Sequence, residues 1–221
     1  MGKVTVPALS GVSINIEGGD FVAIAGPSGS GKTTILNIIG LIDTPSEGKL
    51  TIDRKDVHAL RRHEITHMRQ KTLGFIFQSF NLLSGLNVFE NVELPLLIGR
   101  SPLSRKSRKE WVGQLLAEVG LADRMTHKPR ELSGGQQQRV AIARALAARP
   151  RIVIADEPTA NLDSETGKTI LELMKKINQE HGTTFIFSTH DPTIHSMADH
   201  IVFLKDGVIE NERRKQPGAS E

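Results

Sequence analysis

The sequence predicts an α/β fold in which a parallel sheet with crossover helices is interrupted by a block of helices. Three observations carry this reading. Short apolar, β-rich runs recur at Phe21–Ala25, 75–77, 152–155, 185–188 and 201–204. Helical stretches alternate with them, the order expected of strands joined by crossover connections. Between about residues 79 and 149 the strand signals stop, so the core is continuous in space but interrupted in sequence.

The first run, Phe21–Ala25, leads into Gly26-Pro27-Ser28-Gly29-Ser30-Gly31-Lys32-Thr33-Thr34, and the apolar residues Ile35, Leu36, Ile38 and Ile39 follow at helical spacing. The first eight residues of that loop satisfy G-x-x-x-x-G-K-[ST] in the strand-loop-helix context the motif requires. Glycines let backbone N–H groups approach phosphate oxygens, and the helix N-terminus adds positive dipole. Lys32 then reaches the β/γ-phosphates and Thr33 ligates Mg²⁺. In the middle block, Ser107-x-x-Glu110 reads as a capping box opening a helix with Trp111, Leu115, Leu116 and Val119, ended by Gly120.

The next element opens at Leu132-Ser133-Gly134-Gly135-Gln136-Gln137-Gln138-Arg139. Ser133 is the expected N-cap with Gln136 as its reciprocal partner, and the helix runs through Val140, Ile142, Ala143 and Leu146 before Pro150. Two glycines in a first turn cost about 1 kcal/mol each relative to Ala. They also leave bare N–H donors, so this is a second candidate phosphate-binding helix end. The strand at 152–155 ends in Asp156-Glu157, two carboxylates delivered to the phosphate site by the C-terminal end of a parallel strand. Asp156 suits Mg²⁺, and Glu157, one residue on, suits a general base for the attacking water. The polar residues 211–221 read as a loose tail.

Composition narrows the partners. At 221 residues the chain can bury roughly 70 to 75% of its unfolded surface in its own core. It has no cysteine, which removes disulfides and thiolate zinc sites and points to a cytosolic setting. The apolar runs fall far short of the ~20 residues that span a bilayer, so any membrane role requires a partner. A formal charge of +3 is too modest to indicate direct nucleic-acid binding.

Taken together, these motifs resemble the ABC ATPase family, whose signature is LSGGQ. Residues 26–33 match its Walker A motif, 152–157 its Walker B motif and catalytic glutamate, Gln78 its Q-loop, Asn161-Leu162-Asp163 its D-loop, and His190 its switch histidine. Asn37-Ile38-Ile39-Gly40, Phe77-Gln78-Ser79-Phe80-Asn81-Leu82 and Glu90-Asn91-Val92-Glu93-Leu94-Pro95 resemble the lipoprotein-release and macrolide-export branch. The resemblance covers roughly residues 8–210. It implies a P-loop NTPase core with an antiparallel β subdomain over about 1–78 and 150–210, and an inserted helical subdomain over about 79–149. It also implies a head-to-tail homodimer in which each ATP lies between one subunit's Walker A loop and the other's Ser133-Gly134-Gly135, with Gln136 and Asp163 beside it. Gln78 is then expected to sense Mg²⁺ and the water, and His190 to contact the γ-phosphate. The implied partner is a transmembrane permease, which places the chain on the inner face of the cell membrane.

The chain departs from the family pattern at its start. Members usually carry an extra edge strand and an aromatic, often Tyr, that stacks on adenine, whereas this chain begins at Met1 and has no tyrosine. A missing amino-terminal segment is the expectation, with Val4 or Val6 as the alternative adenine contact. His63-Glu64-Ile65-Thr66-His67 satisfies H-E-x-x-H, yet Arg61, Arg62, Arg69 and Lys71 surround it and no third ligand is evident, so it reads as a polar helix. His181, His195 and His200 read as solvated or capping residues. An export motor leads the functional readings. A regulatory clamp on a membrane complex shares every motif with it, and a soluble cassette acting on DNA or ribosomes lacks the expected second cassette.

Overall fold

The five apolar runs become the five parallel strands of one sheet. The computed structural model describes residues 7–189 and 192–215. In chain order these form β1 (Phe21–Ala25), α1 (Lys32–Ile39), the two-residue strands β2 (Thr51–Ile52) and β3 (Lys55–Asp56), α2 (Arg62–Thr72) and β4 (Leu73–Ile76). There follow α3 (Val88–Ile98), α4 (Arg105–Glu118), α5 (Gly134–Leu146), β5 (Ile152–Asp156), α6 (Ser164–His181), β6 (Thr184–Thr189), α7 (Pro192–Met197), β7 (His200–Lys205) and β8 (Val208–Arg214).

The sheet order is β4-β5-β6-β1-β7-β8, parallel except for β8, while β2 and β3 pair separately as an antiparallel hairpin. Strand β6 therefore separates β1 from β5, and the register sets Ala25 beside Thr189 and Asp156 beside Ser188. The ends of the two motif-bearing strands thus meet at one edge of the sheet. Phe21, Val22, Ala23 and Ile24 are wholly buried, as the absence of polar alternation in that run requires. Phe21 packs against Phe187 with ring centroids 4.5 Å apart. Burial of each such side chain contributes roughly 1.5 to 3 kcal/mol.

Residues 88–146 carry helices and no strand. Their buried residues Val92, Val112, Leu116 and Ile142 join Phe21, Val153 and Phe187 in one hydrophobic cluster. A polar tie reinforces this packing: Trp111 Nε1 donates to Ala147 O at 2.8 Å, with the Arg149 guanidinium 4.2 Å from the Trp111 ring centroid. Asn91, fully buried, donates to the carbonyls of Leu83, Leu86 and Asn87 and accepts from Leu83 N, fixing the loop before α3.

The structure corrects several expectations. Helix α4 is capped by Ser104, which accepts from Ser107 N, so Ser107 and Glu110 lie inside the helix and do not open it. Residues 211–214, expected in a polar tail, belong to β8. That strand is exposed along nearly all its length at the sheet edge, where charged side chains are admissible, so it lacks the apolar alternation that reveals a strand in sequence. His200 is a core residue, not a solvated one: it is 1% exposed, and Nε2 donates to Glu212 Oε1 of β8 at 2.8 Å. His181 bridges to Glu118 at 2.8 Å, tying the end of α6 to the end of α4. His195 is half-buried on α7, its ring set edge-on to Phe203. His63 and His67 are both exposed on α2.

Candidate functional site

The turn after β1 is shaped by contacts that tolerate nothing larger than glycine. A Cβ on Gly26, at φ 152°, would lie 2.0 Å from the Leu204 carbonyl oxygen, and one on Gly31, at φ 103°, would lie 2.8 Å from Ala8 O. The loop closes on itself through Lys32, whose Nζ donates to Gly26 O at 2.8 Å and Pro27 O at 2.9 Å. Gly31 is the N-cap of α1 and has no side chain to offer, and the first capped amide, Ile35 N, reaches back to Gly31 O at 3.0 Å. The amides of Lys32, Thr33 and Thr34 therefore form an uncapped helix end, which suits an anion.

This helix end opens into a cleft of about 650 Å³ lined by Gly26, Pro27, Ser28, Gly29, Gly31, Lys32, Thr33 and Thr34 from the loop, and by Gln78, Asp156 and Glu157 from the ends of β4 and β5. Ala8, Ala160 and Ser188 complete its wall. Ser188 signals itself in sequence only as a polar residue closing an apolar strand; here its Oγ donates to Asp156 Oδ1 at 2.5 Å and holds that carboxylate. Thr33, Gln78 and Asp156 present hydroxyl, amide and carboxylate oxygens on one cleft, the hard donor set that suits magnesium. Glu157 stands beside them at φ 45°, a left-handed conformation uncommon for a side-chain-bearing residue. Its amide donates to Ser188 O at 3.1 Å.

Other residues singled out in sequence lie apart from this cleft. Ser30 is buried under the loop, and its carbonyl accepts from Gly207 N at 3.1 Å. Ser133 caps α5 as expected: its Oγ accepts from Gln136 N and its amide donates to Gln136 Oε1 at 3.0 Å. Ser133, Gly134, Gly135 and Gln136 do not line the cleft within the same chain, and neither does Asp163. Asp163 caps α6, accepting from Thr166 N at 2.9 Å; that bond is the chief reason its carboxyl lies below its ordinary value. His190, Val4 and Val6 lie outside the described residues.

Sequence reasoning missed the ties between these loops. Asn161 Nδ2 donates to Gln78 O at 2.8 Å, joining the segment after Glu157 to the segment after β4. A Cβ on Gly134 would touch Leu162 and Phe80, so the first turn of α5 packs on both segments.

A family profile described as ABC transporter matches residues 9–160, more than half of the chain. The chain belongs to the ABC transporter family. It is 48% identical over 216 residues to an uncharacterized ABC transporter ATP-binding protein, MJ0796, of Methanocaldococcus jannaschii, covering 97% of this chain and 92% of that relative. It is 45% identical over 212 residues to the macrolide export ATP-binding/permease protein MacB of Syntrophobacter fumaroxidans. That match covers 96% of this chain but only 30% of MacB, so the ABC chain spans about a third of that protein's length. Among solved structures it resembles a dimeric post-hydrolysis state of the MJ0796 cassette bound to ADP and Pi, with TM-score 0.87 and 47% identity over 98% of this chain and 94% of that one. The protein is an ABC ATPase with the cassette fold. Among the described residues no helix is long and apolar enough to cross a membrane.

Proposed function

We propose that this ABC ATPase hydrolyses Mg-ATP to drive a transmembrane permease carried on a separate chain, in an export or lipoprotein-release system at the inner face of the cell membrane. The observation that carries the reading is the single cleft shared by the uncapped α1 N-terminus, Lys32 and the two carboxylates Asp156 and Glu157. Glycines and amides of residues 26–34 hold the phosphates, with Lys32 adding charge at the β/γ end. Thr33, Asp156 and Gln78 hold Mg²⁺, which when bound withdraws charge from the phosphate oxygens. Glu157 accepts the proton of the attacking water. His190 contributes to the γ-phosphate end, as the family resemblance implies.

Export is favoured by the resemblance to MacB, in which a cassette of this kind is continuous with its permease. The deciding experiment is purification from membranes of the native organism with the cassette tagged, followed by identification of the bound chains and reconstitution in vesicles. Recovery of a polytopic membrane protein that stimulates ATP turnover is expected; a cassette that consistently leaves the membrane alone, with unstimulated turnover, would sink the proposal.

A further inference from the structure

Helix α5 hides an amide among apolar side chains. Gln138, in its second turn, is 0% exposed, and its buried neighbours Val140, Ala141 and Ile142 are apolar. Its Nε2 donates to Pro158 O at 2.7 Å, while Oε1 finds no hydrogen-bond partner. Burying an amide with half its capacity unmet is unfavourable; Leu or Met of similar volume would avoid that cost but take from the Pro158 carbonyl this donor. What the amide secures is the place of one carbonyl.

That carbonyl belongs to the residue after Glu157. We infer that Gln138 is a positioning residue for ATP hydrolysis: by holding Pro158 O it fixes the turn that presents the Glu157 carboxylate to the cleft. The inference rests on the reading of Glu157 as the base. On its amino side Glu157 is held by β6, through its amide on Ser188 O; on its carboxyl side its carbonyl accepts from Ala160 N at 3.2 Å within the same turn. Gln138 is a tie from another element to the next peptide. Glu157 sits at φ 45°, and a residue in that region persists only when its surroundings over-determine it. Released from Gln138, the turn can relax toward negative φ and carry the carboxylate off its line. The remainder of the segment has other anchors, Asn161 on Gln78 O and Leu162 beside Gly134, so the loss stays local to Glu157.

The test compares Gln138→Leu and Gln138→Met, each alone and combined with Glu157→Gln, in single-turnover ATP hydrolysis, Mg-ATP binding and thermal unfolding. A displaced catalytic group of this kind costs about 10- to 100-fold in rate. We expect that loss in the single Gln138 variants, with Mg-ATP affinity changed less than about threefold and the unfolding midpoint lowered by no more than roughly 10 °C. In the Glu157→Gln background the added Gln138 change should cost less than about twofold, because the group it positions is already gone. Wild-type turnover by both single variants overturns the proposal, as does an equal loss in both backgrounds or a loss confined to nucleotide affinity. Failure of both variants to fold would make Gln138 a purely structural residue and overturn it as well. Near-normal turnover by Glu157→Gln alone is a separate result: it removes the base from Glu157, and the positioning with it.

Discussion

Arg144 of α5 grips the backbone just past Gln78: its guanidinium donates to Phe80 O at 2.7 Å and to Asn81 O at 2.5 Å. Both receiving residues lie in the left-handed region, Phe80 at φ 57° and Asn81 at φ 48°. Burial pushes the guanidinium below its ordinary value, so its charge is retained at a desolvation cost that the two carbonyls offset. Arg144→Ala is expected to lower stability by about 1 to 3 kcal/mol. Arg144→Lys should recover only part of this, since one ammonium on a flexible stem does not reproduce a planar fork. Urea unfolding of the three proteins reads both differences, and a lysine variant equal to wild type would count against the fork.

The charge of Glu157 supports a sharper expectation. It is placed with Asp156 on the cleft, and Asp156 is already engaged by Ser188. Replacing the carboxylate by an amide in Glu157→Gln should reduce ATP turnover by ~10² to 10⁴ while nucleotide binding stays intact. Phosphate release under saturating Mg-ATP measures the first quantity and calorimetry the second. Turnover within a few-fold of wild type would move the base elsewhere.

Lys32→Ala should fail at an earlier step. The ammonium bonds to Gly26 O and Pro27 O, so it both shapes the loop and supplies the positive charge at its mouth. Charged hydrogen bonds contribute about 1.5 to 3 kcal/mol, which corresponds to roughly 10- to 150-fold in ATP affinity. Titration calorimetry with ATP checks this, and unchanged affinity would show that the amides of α1 suffice.

The legible parts of the molecule are those where local chemistry and fold agree. Residues 21–25 announced a doubly buried strand because every side chain is apolar, and Ser133 announced its cap because Gln136 stands at the reciprocal position. Strand β8 stays hidden since all of its residues but Ile209 are exposed on a sheet edge and carry no apolar period. The sequence pattern puts the cap of α4 three residues late because Ser104 and Ser107 offer equivalent chemistry, and only packing chooses between them. The functional ties were illegible for a different reason. Gln138, Arg144 and Asn161 bond to backbone carbonyls far away in sequence, and a carbonyl leaves no trace in the residue type that bears it.

Asp163 gives a pH dependence with a definite sign. Its carboxyl is lowered chiefly by the Thr166 amide, so folding favours the ionised form. Its contribution is therefore present above the unfolded value of about 3.9 and is lost as pH falls through the lower folded value. Wild type should unfold at higher temperature than Asp163→Ala by a constant margin between about pH 5 and 7, and that margin should shrink below about pH 4. A margin unchanged down to about pH 3 would assign the cap's effect to something other than charge.

The separation of the two anion-binding helix ends sets the last expectation. The cleft at α1 contains none of Ser133, Gly134 or Gly135, although the half-exposed Gly134 and Gly135 open the first turn of α5 with no side chain of their own over its amides. Each end supplies part of a phosphate cage, and a second copy placed head-to-tail can complete both cages at once. Association should then follow nucleotide by linkage: monomer when empty or with ADP, dimer with Mg-ATP, most visibly in Glu157→Gln, where hydrolysis no longer removes the ligand that joins the halves. Ser133→Arg should abolish the dimer by filling the turn with a bulky side chain, while sparing ATP binding to the monomer. Because Ser133 also caps α5, that variant loses roughly 0.5 to 2 kcal/mol of stability as well. Ser133→Ala loses the cap without filling the turn, and should still dimerise. Sedimentation of the four proteins with Mg-ATP distinguishes these effects, and a Glu157→Gln protein that stays monomeric across micromolar concentrations would mean that the two ends do not meet without a further partner.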